Sequence, residues 1–432
     1  MKSISLFWHR RDLRVEDNHG LFEGLNAEKA IQPIFIFDTN ILDKLEDKSD
    51  RRVTFIHQNL EYLKEKYQSN GSDLWVFYGN PLDVFKKLAG EYEIKSVHTN
   101  TDYEPYALER DEAVAAFIEY NKGTFHTYKD HVFYHKDEVL KADDSPYTVF
   151  TPYSKRWKAR MAEEGNPSYA SEKHLHKMNQ VEGSPLIALE EMGFTKNTSH
   201  LPERKIPLKI IRDYHLTRDI PSIAGTSKLS MHLRFGTISI RKLVGIAKNT
   251  NEKWLNELIW RDFYQAILHH FPHVEHSAFK AKYNHIPWRN NEEDFERWCN
   301  GKTGIPIVDA GMRELNATGF MHNRVRMIVA SFLTKNLLIN WQWGEAYFAA
   351  KLNDFELASN NGGWQWAAST GCDAAPYFRV FNPESQAKKF DSELKYIKKW
   401  VPEFQELTYA KPMVDLKSSR KQAIEVFKEA LS

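Results

Sequence analysis

At 432 residues, with 42% hydrophobic and 27% charged content, the chain has an ordinary globular composition and is long enough for two domains with substantial cores. No apolar run reaches the ~18 residues of a membrane span, and MKSISLFWHRRDLRVEDN lacks a signal peptide's apolar stretch, which excludes membrane and secreted readings and fits a cytoplasm or organelle interior. The two cysteines, Cys299 and Cys372, allow neither a disulfide framework nor a cysteine-rich metal site and read as buried small hydrophobes. The net charge of +1 hides an asymmetry. Residues 1–130 carry 17 Lys+Arg against 23 Asp+Glu, and residues 131–432 carry 42 against 35. That excess allows nucleic-acid contact through the C-terminal part without demanding it.

In chain order, SISLFWH (3–9), IQPIFIFD (31–38), DLWVFYG (73–79) and SVHTNTDY (96–103) predict strands, while RVTFIHQNLEYLKEKYQ and PLDVFKKLAGEY between them have helical spacing. This alternation predicts a Rossmann-like parallel sheet covered by helices, an α/β domain over 1–130. No G-x-G-x-x-G follows any of the strands, so a standard dinucleotide fingerprint is missing. From about 131 to 205 the texture changes to Pro, Gly, Ser and mixed charge, as in EEGNPSYASEKHLHK, and predicts a partly irregular connector. Residues 206–432 predict an all-α domain, with KWLNELIWRDFYQAILHHF, IPIVDAGMRELNATGF, HNRVRMIVASFLTKNLLINW and SRKQAIEVFKEAL as helices. There are no internal repeats.

GKTG at 301–304 fails as a phosphate loop, because the glycine required five positions before Gly301 is Glu296. His269 and His270 are adjacent and no H-E-x-x-H spacing exists, so no metal site is expected. Two helical faces carry more. Glu257, Trp260, Arg261 and Tyr264 stand at i, i+3, i+4 and i+7, an odd composition for a core. Asn323 and Met327 are again i, i+4, with Arg324 and Arg326 beside them. Nine of the twelve tryptophans follow residue 250; an indole-rich helical domain with a basic tilt suits redox or base-stacking work as well as packing. The stretch NNGGWQWAAS (360–369) brings two asparagines, two glycines and two tryptophans together at an expected break between helices, where glycines permit close backbone approach to something bulky.

These residues carry a resemblance. FWHRRDLRVEDN, GTSKLSMHLRFGTISIRKL (225–243), LNELIWRDFY (255–264), GKTGIPIVDAGMREL with GFMHNRVRMIVASFL (301–333) and NNGGWQWAASTGCDAAPYFRVFNP (360–383) are similar to the photolyase/cryptochrome family, most of all to class I cyclobutane pyrimidine dimer photolyases. The resemblance implies an α/β domain followed by a helical FAD-binding domain, acting on damaged DNA as a monomer. Tyr214 and the run Thr226, Ser227, Lys228, Leu229 and Ser230 would hold the FAD phosphates and ribityl chain. Asp354, paired with Arg326, and Glu356, where most members carry aspartate, would flank the isoalloxazine; Asn360 would face its N5. Trp364 would begin an electron-hopping series continued by Trp341 and ending at Trp288. Residues two apart in a helix point roughly 200° apart, so Trp366 would face the opposite side and, with Trp260, pack against a flipped dimer. Gly362 and Gly363 would keep the backbone clear of the ring system. Glu257 and Asn323 would hydrogen-bond the pyrimidine edges, Met327 would fill the remaining contact, and Arg218, Arg261, Arg324 and Gln386 would grip the DNA backbone.

By the same resemblance, excited reduced FAD would donate an electron that splits the cyclobutane ring of a flipped dimer, needing neither general base nor metal. A signalling cryptochrome is the first alternative, though such proteins append a long tail and this chain ends about 50 residues past FNP. A (6-4) photolyase, with histidine at the position of Asn323, is the second; a non-catalytic adaptor is the third, and leaves the Glu257 face and the tryptophans unexplained. Folate-binding members carry Asn-Glu where Tyr106 and Ala107 stand, so a second antenna chromophore would be a deazaflavin or a flavin mononucleotide sooner than a folate in its usual pose, or there would be none.

Overall fold

The computed structural model describes residues 2–432. Strands β1 (Lys2–His9), β2 (Gln32–Asp38), β3 (Trp75–Gly79), β4 (Tyr92–Asn100) and β5 (Thr124–Tyr128) form one parallel sheet in the order β3-β2-β1-β4-β5. β2 is buried along its whole length, as a strand covered by helices on both faces must be. The covering helices begin where side chains can cap them: Asn18, Asp50 and Asn80 accept from the first-turn amides of His19–Ala27, Arg51–Gln68 and Pro81–Glu91. The strand expected over 96–103 starts earlier, at Tyr92. β5, TFHTY, was not expected; it is a partly exposed edge strand with weak apolar patterning. Helices His19–Ala27 and Pro105–Tyr120 were also unanticipated.

Strand order reverses between β1 and β4, the point where open α/β sheets usually bind ligands. Here the protein fills it. Asn100 Nδ2 donates to Asp12 Oδ2 at 2.7 Å and to Asn18 Oδ1 at 2.8 Å, and Asn18 Nδ2 donates to Asp12 Oδ2 at 3.0 Å. All three residues are buried.

The chain forms two compact units. The first comprises Met1–Glu138, Trp157–Ile206 and Lys228–Asn249; the second comprises Val139–Arg156, Pro207–Ser227 and Thr250–Ser432. The 131–205 stretch is therefore shared between them. It contains the helix Phe150–Glu164, and Leu175, Met178, Leu189, Met192 and Phe194 join the first unit's core beside Leu21, Leu25 and Leu63.

Among the described residues the second unit has no strand. Its core gathers Trp298, Met312, Leu315, Val329, Leu333, Trp341, Phe348 and Trp364. The helix expected to run through 322–341 is interrupted. Asn323–Ser331 passes into a π turn at Phe332–Asn336, and a new helix starts at Trp341, capped by Asn340. The turn points Lys335 inward, where Nζ donates to Ser369 Oγ at 2.9 Å and Ala368 O at 3.1 Å. NNGGWQWAA, expected at a break, is instead helical within Leu357–Ala368, and the chain turns only at Ser369, with φ 70°. The GKTG loop is tied to the helix that follows it: Thr303 and Gly304 amides donate to Asp309 of Pro306–Thr318. No helix among the described residues is long and apolar enough to cross a membrane.

Candidate functional site

The Glu252–His270 helix presents the mixed face seen in the sequence. Asn251 caps it, accepting from Lys253 and Trp254 amides, and its Nδ2 donates to Arg212 O at 2.9 Å. This ties the helix start to Leu208–Thr217, which carries Tyr214. Arg218 follows directly: Nη1 donates to Glu257 Oε1 at 2.5 Å, and the guanidinium lies 5.2 Å from the Tyr214 ring centre. Burial pushes the Glu257 carboxyl up, and the Arg218 charge only partly reverses it. Asp219 extends the chain of charges, 4.0 Å from Arg218 Nε and 2.6 Å from Arg324 Nη2. Arg324 also donates to Met327 Sδ at 3.7 Å and lies 4.3 Å from the Phe390 ring centre. Gln386 sits one turn before Phe390 on Pro383–Phe390. Asn323 is exposed at the start of its helix, capped by His322, whose Nδ1 accepts from Arg324 N at 3.1 Å.

A second set is more deeply buried. Arg326 Nη2 donates to Asp354 Oδ2 at 3.0 Å and Nε to Met321 O at 2.8 Å. Arg261 Nη2 donates to Glu356 Oε1 at 2.8 Å. Arg261, expected on the DNA backbone, is 8% exposed. One residue past Trp260 the helix face turns inward, and Arg261 meets the buried Glu356. Asn360 Nδ2 donates to Glu345 Oε1 at 2.8 Å and Glu345 O at 3.1 Å; burial pushes the Glu345 carboxyl up.

The tryptophans separate by face. Trp364 is buried, edge-on to Phe348 at 4.9 Å and Trp298 at 6.0 Å. Trp341 lies in the same cluster, and Trp288 packs on its border, 5.8 Å from Phe427. Trp366 is half-buried and, with Tyr264, Gly362, Cys372 and Asp373, lines an open cleft. A Cβ on Gly362 would stand 2.2 Å from the Tyr264 ring, whereas one on Gly363 meets nothing within 4 Å. Thr226 and Ser227 close one segment of the second unit, and Lys228 (φ 53°), the buried Leu229 and Ser230 open a segment of the first. Thr217 Oγ1 donates to Gly225 O at 2.9 Å, pinning the chain just before Thr226.

Sequence reasoning missed Asp219, Glu345, Phe390 and Phe150, which stacks on Trp260. Asp219 stood next to Arg218 and could have been found as its neighbour in charge; the others had no local signal.

A family model described as DNA photolyase matches residues 5–172, and one described as FAD binding domain of DNA photolyase matches residues 254–408. The deoxyribodipyrimidine photo-lyase of Synechococcus sp. is 38% identical over 93% of this chain and 88% of its own. That of Escherichia coli is 34% identical over 98% of each. The crystal structure of an archaeal photolyase from Sulfolobus tokodaii with two FAD molecules matches with a TM-score of 0.85 at 33% identity, covering 98% of this chain and 99% of that one. A bacterial class III photolyase from Agrobacterium tumefaciens matches at 0.83 with 27% identity, covering 100% of this chain and 98% of that one. With both halves matched in order and relatives aligned over nearly its whole length, the chain belongs to the DNA photolyase family.

Proposed function

We infer that the chain is a deoxyribodipyrimidine photo-lyase, a light-dependent DNA-repair enzyme acting on cyclobutane pyrimidine dimers. One observation carries this reading beyond the names of its relatives: Glu257, with its carboxyl pushed toward the protonated form, lies one turn from Trp260 on a single helix. A carboxyl on this face can hydrogen-bond a pyrimidine edge while the indole stacks on the ring.

The donor set fits FAD. Gln265, 2% exposed and one turn beyond Arg261, has both amide heavy atoms buried without a partner, a donor-acceptor pair suited to the polar edge of a flavin or adenine. When bound and reduced, FAD supplies the photoexcited electron that opens the cyclobutane ring and is then returned. Tyr214, Thr226 and Ser227 would hold its phosphate and ribityl side, Arg326 orients Asp354, Arg261 orients Glu356, and Asn360, its Nδ2 held by Glu345, would stand beside the ring. Arg218 holds Glu257 by Oε1, leaving Oε2 for a hydrogen bond with the lesion. Trp260 and Trp366 wall the lesion, Asn323 and Met327 complete its contacts, and Arg218, Arg324 and Gln386 serve the strand backbone. Trp364, Trp341 and Trp288 carry electrons inward. Functionally the chain divides into an antenna-type domain over 1–130, a connector over 131–205 and a catalytic domain over 206–432, working as a monomer in the cytoplasm. For a second chromophore the reading disfavours folate, because Tyr106 replaces the usual partner and its hydroxyl is engaged by Asp38 at 2.7 Å and Asn40 at 3.0 Å.

The test uses oligonucleotides carrying one defined lesion each, lit and dark, with FAD-loaded protein. Light-dependent restoration of a cyclobutane thymine dimer is expected. Repair of a (6-4) product alone would overturn the assignment, as would no photorepair of either.

A further inference from the structure

Trp260 carries a stack that its sequence gave no hint of. The Phe150 ring lies parallel to the indole, with centroids 3.6 Å apart and 3° between planes. Two aromatic rings laid face to face are less favoured than an offset or edge-on pair, because their quadrupoles repel. Something must therefore hold Phe150 in place, and three contacts do. Its backbone N–H donates to Asp373 Oδ2 at 3.0 Å. Its ring meets Phe263 edge-on at 5.9 Å. Tyr153, one residue short of a turn further along the same helix, packs on Phe263 at 5.2 Å, so the helix start is fixed to the Glu252–His270 helix by two aromatic contacts.

An indole has two faces, and here the protein itself takes one of them. Tyr264 leans on the same indole at 5.4 Å and 30°, so the plane is braced from a second direction. We propose that Phe150 is a positioning residue for lesion recognition: by backing Trp260 it fixes the indole plane and leaves a single stacking face for the flipped pyrimidine dimer. This rests on the photolyase reading. It extends that reading to a residue in the connector stretch, far in sequence from the helical domain's motifs.

The test measures dark binding of FAD-loaded, full-length protein to an oligonucleotide with one cyclobutane thymine dimer and to its undamaged counterpart. Phe150→Ala is expected to weaken dimer binding on the order of tenfold, as loss of an ordered stacking platform should, and to leave undamaged binding within about twofold. Phe150→Tyr should restore it. In a Trp260→Ala background, Phe150→Ala should cost nothing further, because it acts through the indole. If Phe150→Ala fails to retain FAD, Phe150→Leu, which keeps the bulk without the flat ring, is used and should show the same loss. Equal affinity, equal loss on both oligonucleotides, or additive losses with Trp260→Ala would overturn the proposal. Tighter dimer binding by Phe150→Ala would also overturn it, since the ring would then occupy the lesion's own place. A wild type that binds the dimer in the dark but never repairs it sinks the enzyme reading alone; a wild type that repairs while Phe150→Ala binds equally well sinks this one alone.

Discussion

Gly362→Ala and Gly363→Ala, adjacent on Leu357–Ala368, should move stability in opposite directions. A Cβ at 362 would stand 2.2 Å, 2.3 Å and 2.8 Å from Tyr264 Cδ1, Cε1 and Cγ. Carbon contacts settle near 3.5–4.0 Å, so the ring would have to retreat by more than about 1 Å. It has little room, with Trp260 at 5.4 Å and Phe263 at 5.8 Å. Overpacking of this kind costs about 1–3 kcal/mol, and the gain in helix propensity on replacing glycine offsets about 1 kcal/mol, leaving a net loss of up to about 2 kcal/mol. At 363 nothing lies within 4 Å, so only the gain remains. Thermal denaturation of the FAD-free chain, followed by far-UV circular dichroism, should rank Gly363→Ala above wild type and wild type above Gly362→Ala. A Gly362→Ala variant melting at or above wild type would refute the packing argument. Flavin titration adds a second reading: if the backbone at 363 approaches the ring system, Gly363→Ala will bind FAD more weakly despite its higher melting temperature.

Trp288→Phe should slow photoreduction of oxidised FAD yet spare repair by enzyme already reduced, while Trp298→Phe, 6.0 Å from Trp364 but outside the proposed series, should leave both intact; equal loss of both activities in Trp288→Phe would sink the hopping order. Glu257→Ala should lose about 1–3 kcal/mol of lesion binding, whereas Glu257→Gln, which still donates, should lose much less; gel-shift titrations with dimer-containing DNA decide, and equal losses would show that the carboxyl's proton is not used. Burial depresses His322 from 6.5 to about 4, so its neutral form stabilises the fold fully above pH 6.5 and that contribution, roughly 3 kcal/mol, is lost as pH falls toward 4. His322→Asn, which can still cap the helix, should flatten the fall in melting temperature over that interval; an unchanged slope would place the proton elsewhere.

The fold was legible where burial writes a pattern. β1 and β2 are continuous apolar runs because helices cover both faces, and such runs announce themselves. β5 did not, because an edge strand with exposed positions needs no apolar alternation, and its pairing with β4 is set by main-chain bonds that any residue supplies. The break after Ser331 was hidden for the opposite reason. HNRVRMIVASFLTKNLLINW reads as one helix, and within the π turn that interrupts it lies a buried lysine whose partners, Ala368 O and Ser369 Oγ, are over thirty residues away. The same holds for NNGGWQWAA: local glycines suggested a break, but Gly362 is needed to admit Tyr264 from another helix, and the helix continues.

The site was legible as a set of residue types on helical faces, and much less as a set of charges. The resemblance implied arginines gripping phosphate, and the structure sets an acid beside each. Arg218 bonds Glu257, Arg324 bonds Asp219, and Arg261 bonds Glu356. Arg261 is the most buried of the three. For Arg218 and Arg324, with side chains 26% and 19% exposed, one bond to a carboxylate leaves several of five N–H donors for phosphate, but Asp219 remains between them at 44% exposure. A phosphate brought to this pair must be accepted next to that carboxylate, so backbone contacts here gain less than two isolated arginines would. On the proposed reading, discrimination then falls on what sets the lesion apart from intact bases, its low cost of leaving the duplex, with Trp260 and Glu257 placed to receive it once flipped.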